Sequence, residues 1–168
     1  FKGTTGEAIH TVWYNPNRGY GVGGSAEYTG WGDKATLGNR GERFLACVAF
    51  LDGMDKKPSA VMCRGYYTRS YLWAVDFDGK TLQTKWLHAS ISENEWKLTD
   101  GDGKTISQKA GLKATAYGQG AHSIAVADVD GDGCDEITYG SAAIDHDGSL
   151  LYSTGLGHGD AQHLTDLV

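Results

Sequence analysis

The stretch Asp128-Val-Asp130-Gly-Asp132-Gly-Cys134-Asp-Glu136 sets carboxylates at loop positions one, three, five and nine. Calcium is a hard cation that takes about six to eight oxygen ligands, so carboxylates clustered on a tight turn suit it. Gly133 follows the third aspartate, where the backbone must turn sharply around an ion. Cys134 stands at position seven, which contributes its backbone carbonyl in loops of this kind. Asp128, Asp130, Asp132, Cys134 and Glu136 therefore form a first candidate metal site, with calcium as the expected ion. The plainer reading is a solvated Asp/Gly turn, but such a turn needs no carboxylate at every alternate position.

The loop is not an EF-hand, which requires a glutamate at position twelve and a following helix. Position twelve is Tyr139, and Ile137-Thr138-Tyr139 is β-branched and aromatic. That composition suits a strand. Ser123 to Ala127, before the loop, also reads as a short strand. The expected unit is strand–loop–strand.

Other residues could also do chemistry. His122 precedes the acid loop, and His158-Gly-Asp160 follows it. Imidazole is a softer ligand than oxygen, so histidine on calcium is unusual. On the residues alone, hydrogen-bonded turn histidines are the simpler account. Arg64, Tyr66, Tyr67 and Arg69 form a cluster that can be read in two ways. Arginine can grip a ligand carboxylate with two parallel hydrogen bonds, and tyrosine can stack on a ligand ring. Alternatively the aromatics pack a hairpin and the arginines make surface pairs. Asp100 and Asp102 sit on a glycine turn and read as a hairpin tip. No nucleophile elbow, dinucleotide-binding glycine pattern or zinc protease motif is present, and no catalytic base can be assigned.

The elements that must position these residues are short strands. The chain has 168 residues, with 25 glycines and 2 prolines. That balance favours tight turns between strands over a helical bundle. The segment Val48 to Cys63 resembles Ile124 to Tyr139, with Asp52 over Asp128. Met54 and Lys56 replace two carboxylates in the first copy, so that loop is expected to hold no ion. Each copy runs on into an Asp-Gly hairpin, Trp73 to Leu82 and Ala142 to Leu151. Paired hairpins repeating in this way suggest blades of a β-propeller, about two to three of them here. Glu93 to Leu98 could form one helical turn, and Ser92 to Leu112 reads as an insertion between blades. The absence of an initial Met and the abrupt ends suggest a piece of a longer chain, a partial propeller spanning 1–168 that closes only with the rest of its parent.

Composition also excludes classes. The net charge is −6, and no basic stripe marks a nucleic-acid surface. No segment has the length and apolarity of a membrane-spanning helix. Cys47, Cys63 and Cys134 are an odd set and make no complete disulfide framework.

Beyond these patterns, the sequence resembles rhamnogalacturonan lyases of polysaccharide lyase family 11. The shared stretches include Trp31-Gly-Asp33, Gly38-Asn-Arg40, Arg43 to Ala46, Ala49 to Gly53 and Arg64 to Arg69. They continue through Gly118 to His122, the acid loop, Ala143 to Gly148 and Leu151 to Asp160, whereas Asn94 to Ala116 departs by being longer. The resemblance implies a calcium-bearing propeller of about eight blades, of which this chain covers roughly a quarter to a third. It implies calcium-assisted β-elimination at galacturonate in rhamnogalacturonan I, which leaves an unsaturated uronate. It also implies that His122, His158 and Asp160 ligate a second calcium at the active cleft. A polymeric substrate of this size implies a secreted or periplasmic bacterial enzyme. The competing class is a non-catalytic calcium propeller, a lectin or adhesion module, in which the ions only brace the blades.

Overall fold

A computed structural model of the chain describes residues 1–16, 43–109, 111 and 114–165. Trp31, Asp33, Asn39 and Arg40 lie outside the described residues. The described residues form two antiparallel sheets and no helix. The first sheet takes its six strands in chain order: β1 (Phe44–Ala49), β2 (Ser59–Arg64), β3 (Ser70–Phe77), β4 (Leu82–Ser92), β5 (Glu95–Asp100) and β6 (Thr105–Lys109). The second is a four-stranded meander of β7 (Ala125–Ala127), β8 (Glu136–Tyr139), β9 (Ala142–Ile144) and β10 (Leu150–Ser153).

Strand β3 shows how the residues set the packing. Side chains alternate across a strand, yet six consecutive residues here are buried. Leu72 and Ala74 face the second sheet, in a core with Leu51, Val61, Trp86, Ile137, Tyr139 and Ile144. Tyr71, Trp73 and Val75 face the other way and pack with Leu87, Ala89, Met62 and Tyr14. Tyr14 comes from the N-terminal segment and meets Trp73 edge-on, with ring centroids 5.6 Å apart. A strand covered on both faces reads as a continuous apolar run. Truncating Leu72 to alanine in such a site costs about 2–5 kcal/mol.

Two expectations are corrected here. Glu93 to Leu98 is a turn followed by β5, with no helical turn. Trp96 and Leu98 alternate with Lys97 and Thr99, a period of two that suits a strand. The stretch read as an insertion between blades instead adds β5 and β6 to the edge of the first sheet. At the tip of that hairpin Asp100 accepts the backbone N–H groups of Asp102 (3.0 Å) and Lys104 (2.8 Å). Its carboxylate is used by the turn, as a hairpin tip requires.

The sheets are joined by polar clamps as well as the core. Phe50 N–H donates to Asp135 Oδ2 at 2.7 Å, and Asp135 N–H returns a bond to Phe50 O at 3.2 Å. The Trp86 indole donates to His146 O at 2.9 Å. Tyr139, fully buried, donates its hydroxyl to Gly65 O. Gly140 lies so close to the Gln119–Ala121 backbone that a Cβ there would stand 2.5 Å from Gln119 O. These contacts fix the acid loop and the histidines against the first sheet.

Candidate metal sites and a histidine–tyrosine cluster

The acid loop joins β7 to β8 and is wound on its own carboxylates. Asp128 accepts the N–H groups of Gly131 (2.7 Å), Asp132 (3.1 Å) and Gly133 (3.0 Å). Asp132 accepts Cys134 N–H at 2.8 Å. Gly131 and Gly133 have φ of +81° and +92°, a region that favours glycine. Asp128, Asp130 and Glu136 each offer an oxygen within 4.8 Å of the others. Asp130, Asp132 and Asp145 form a second such triad, so two sets of carboxylates meet at Asp130.

Glu136 tests whether a cation fits. The residue is fully buried, and its Oε2 accepts Val129 N–H at 2.7 Å. Its Oε1 has no hydrogen-bond partner among the described residues. A buried carboxylate oxygen without a partner is costly unless a cation meets it. Burial pushes the Glu136 pKa up; the Val129 bond opposes this, and Asp130, Asp132 and Asp145 add to the rise. Asp145 is also pushed up, first by burial. An all-oxygen donor set that includes a buried carboxylate oxygen without a hydrogen-bond partner fits a hard divalent cation. Asp135, adjacent to Glu136, is spent on the Phe50 clamp, which explains why position nine and not position eight faces the loop.

The corresponding loop of the first sheet solves the same problem differently. Lys85, on β4, places its ammonium 2.7 and 2.6 Å from the two oxygens of Asp52 and 3.5 Å from Asp76. Asp52 and Asp76 are the repeat counterparts of Asp128 and Asp145. Lys56, which replaces a carboxylate there, pairs instead with its neighbour Asp55 at 2.6 Å.

His122, His158 and Asp160 come together, each with a ligand atom within 4.8 Å of the others. They are brought there by a parallel bridge between Ala121 and Gly159. His158 Nδ1 donates to Gly120 O at 2.6 Å, which leaves Nε2 as its free nitrogen. His122 Nε2 lies 3.1 Å from the Tyr67 hydroxyl and 3.9 Å from Asp160 Oδ1. Tyr66 stacks on His158 with planes 4° apart and centroids at 5.6 Å. Tyr67 meets the same ring at 4.4 Å. The tyrosines of the Arg/Tyr cluster are thus the walls of the histidine site, a contact that the sequence pattern did not reveal.

The arginines of that cluster separate from the tyrosines. Arg64 is buried, donates to Pro16 O at 2.6 Å and lies 5.9 Å from the Phe44 ring centroid. Its expected substrate contact is corrected to a packing role, since a guanidinium so enclosed cannot meet a polymer. Arg69 is half-buried and lies two residues after Tyr67. Asp145, His146 and Lys85 were missed as site residues. The Asp145-His-Asp-Gly148 hairpin signal and the repeat alignment held the clue for the first two.

All 168 residues match the model of rhamnogalacturonan lyase family 11, C-terminal domain. The chain is 50% identical over 167 residues to a rhamnogalacturonan exolyase, YesX, of Bacillus subtilis (strain 168), covering 99% of this chain and 22% of the relative. It is 45% identical over 168 residues to the rhamnogalacturonan endolyase YesW of the same organism, again covering 99% and 22%. The crystal structure of the exotype lyase YesX superposes with a TM-score of 0.76 at 48% identity, covering 99% of this chain and 23% of that one. The chain belongs to rhamnogalacturonan lyase family 11 and corresponds to its C-terminal domain. It spans under a quarter of the length of these relatives.

Proposed function

We propose that this chain is part of a lyase that cleaves the rhamnogalacturonan I backbone of pectin by calcium-assisted β-elimination at galacturonate. Two relatives carry rhamnogalacturonan in their names, one as an exolyase and one as an endolyase. The observation that carries the site is the convergence of His122, His158 and Asp160 against the faces of Tyr66 and Tyr67.

In the reaction the C5 proton of galacturonate leaves and the sugar on O4 is expelled, which forms a C4–C5 double bond. Calcium bound at a uronate would offset its carboxylate charge and stabilise the enolate as it develops. His122, His158 and Asp160 would hold the ion nearest the sugar. The Gly120 carbonyl fixes the His158 ring, and the Tyr67 hydroxyl orients His122. Tyr67, half-buried, would offer its ring to a pyranose, whereas Tyr66 is buried and backs the histidines; Arg69 would pair with a carboxylate. The proton-abstracting base is not assigned to this chain. Asp128, Asp130, Asp132, Glu136, Asp145 and the Cys134 carbonyl would hold a second calcium that braces the strand–loop–strand unit.

The two meanders would be blades of a propeller of about eight, closed by the rest of the parent chain. Trp13 (71% exposed), Val48 (64%) and Leu156 (85%) are exposed apolar side chains suited to such neighbours. A polymer substrate would place the enzyme outside the cell or in the periplasm.

Ultraviolet absorbance of rhamnogalacturonan I treated with the intact parent tests the proposal. A rise that a calcium chelator removes is expected. A folded, calcium-loaded protein that gives no rise would replace the lyase with a binding or adhesion propeller.

A further inference from the structure

The acid loop carries a donor set that an oxygen-seeking ion does not use. Asp132, Cys134 and His146 bring a carboxylate oxygen, a thiol sulfur and an imidazole nitrogen within 4.8 Å of one another. Calcium takes only the backbone carbonyl at position seven, so the Cys134 side chain is left over. His146 has no role as a calcium ligand in the loop.

His146 is held from two sides. Its Nδ1 donates to Leu51 O at 3.1 Å, and its own carbonyl accepts the Trp86 indole at 2.9 Å. The ring therefore turns Nε2 toward the loop, 3.3 Å from Asp132 Oδ2 and 3.8 Å from Asp145 Oδ1. A backbone carbonyl on Nδ1 with Nε2 aimed at other donors is the arrangement of a metal-ligating histidine. With a cation bound here, Nε2 and the Asp132 carboxylate would each supply a lone pair to it. A tetrahedral ion with ligands at about 2.1 Å holds nitrogen and oxygen about 3.4 Å apart. The observed 3.3 Å matches that spacing.

We propose that Asp132, Cys134 and His146 form a site for a thiophilic divalent cation of the zinc class, on the flank of the acid loop. Mixed nitrogen, sulfur and oxygen donors select such an ion over calcium or magnesium. Three protein ligands leave a fourth position for water or an exogenous donor. Binding releases the Cys134 thiol proton to solvent, because the thiolate is the ligand. Asp132 has two oxygens and serves both sites: Oδ2 lies toward His146, and Oδ1 lies within the loop.

The test uses the full-length parent lyase with calcium at saturation. Titration with cadmium, a spectroscopic stand-in for zinc, should give a thiolate-to-metal charge-transfer band. Cys134→Ser should remove that band, and His146→Gln should weaken zinc binding about tenfold or more in competition with a chromogenic chelator. Glu136→Gln, which disables the calcium loop, should leave the band in place. That separates this site from the calcium reading. An identical band in wild type and Cys134→Ser overturns the proposal. So does a Cys134-dependent band with zinc affinity unchanged in His146→Gln, since that result describes a lone thiol. Matching circular dichroism spectra keep the comparison among folded proteins.

Discussion

His88 should make this chain acid-sensitive, and the size of the effect follows from its surroundings. The ring is fully buried at the contact of the two sheets, stacked on Trp96 at 5.3 Å. Its Nδ1–H donates to Gly148 O at 2.9 Å. Ser90 Oγ accepts Ala116 N–H at 3.0 Å and so points its own proton at His88 Nε2, 2.8 Å away. Both nitrogens are satisfied in the neutral ring, and protonating Nε2 would set a donor against a donor. Burial pushes the pKa from 6.5 down to about 4, with the Gly148 bond opposing. A base with a depressed folded pKa is protonated first in the unfolded chain. Its contribution is therefore whole above pH 6.5 and is lost as pH falls toward about 4. The full loss is about 3 kcal/mol, of which about 2 kcal/mol falls between about pH 7 and about pH 4.5. Urea denaturation of wild type and His88→Gln across that range, at saturating calcium, isolates the term because both share every carboxylate. The wild-type advantage should shrink by about 2 kcal/mol on acidification. Stability curves that stay parallel would refute the argument, for they would mean that His88 already carries a proton or finds solvent in the folded state.

Three further outcomes are expected. Glu136→Gln removes the buried charge that faces the loop, so calcium affinity measured by titration calorimetry should fall at least about tenfold, as is usual for a lost carboxylate ligand. Gly120→Ala would put a Cβ 2.3 Å from Tyr66 Cβ and 2.9 Å from Tyr139 Cε1. It should destabilise by about 1–3 kcal/mol in urea and also depress lyase activity of the parent, because Gly120 O anchors His158. Lys85→Met should cost only about 0.5–1 kcal/mol in the same denaturation assay, since Asp52 is half-exposed.

The acid loop was legible because its chemistry is local. Alternate carboxylates and the glycines at positive φ all lie within nine residues, so sequence spacing stands in for distance. The hairpins were legible for the same reason, as Asp-Gly turns between apolar alternation. What stayed hidden depends on contacts between the sheets. His146 reaches Leu51 across 95 positions, and Tyr67 reaches His122 across 55. No periodicity encodes such pairs. Arg64 misled because a guanidinium beside tyrosines has the same pattern whether it faces a sugar or Pro16. The β5–β6 hairpin misled as an insertion because an edge addition and a loop excursion share the same polar turn.

The two repeated loops carry one strand–loop–strand pattern with different charge. In the second sheet Asp128, Asp130, Asp132, Glu136 and Asp145 form two overlapping carboxylate triads. In the first, Met54, Lys56 and Ala60 stand in place of three of those carboxylates, and Asp52 and Asp76 remain. One ammonium now suffices, and Lys85 delivers it from β4 at 2.6–2.7 Å from Asp52. A tethered lysine brings a single charge without a binding equilibrium, whereas a bound divalent ion brings two and can be withdrawn. On the calcium proposal, metal dependence would be confined to the second sheet. A chelator should speed hydrogen exchange in β7 and β8 while leaving β2 and β3 protected. Equal loss in both sheets would mean that the clamps at Phe50 and Trp86 tie them into one cooperative unit, so that the ion in one loop supports both.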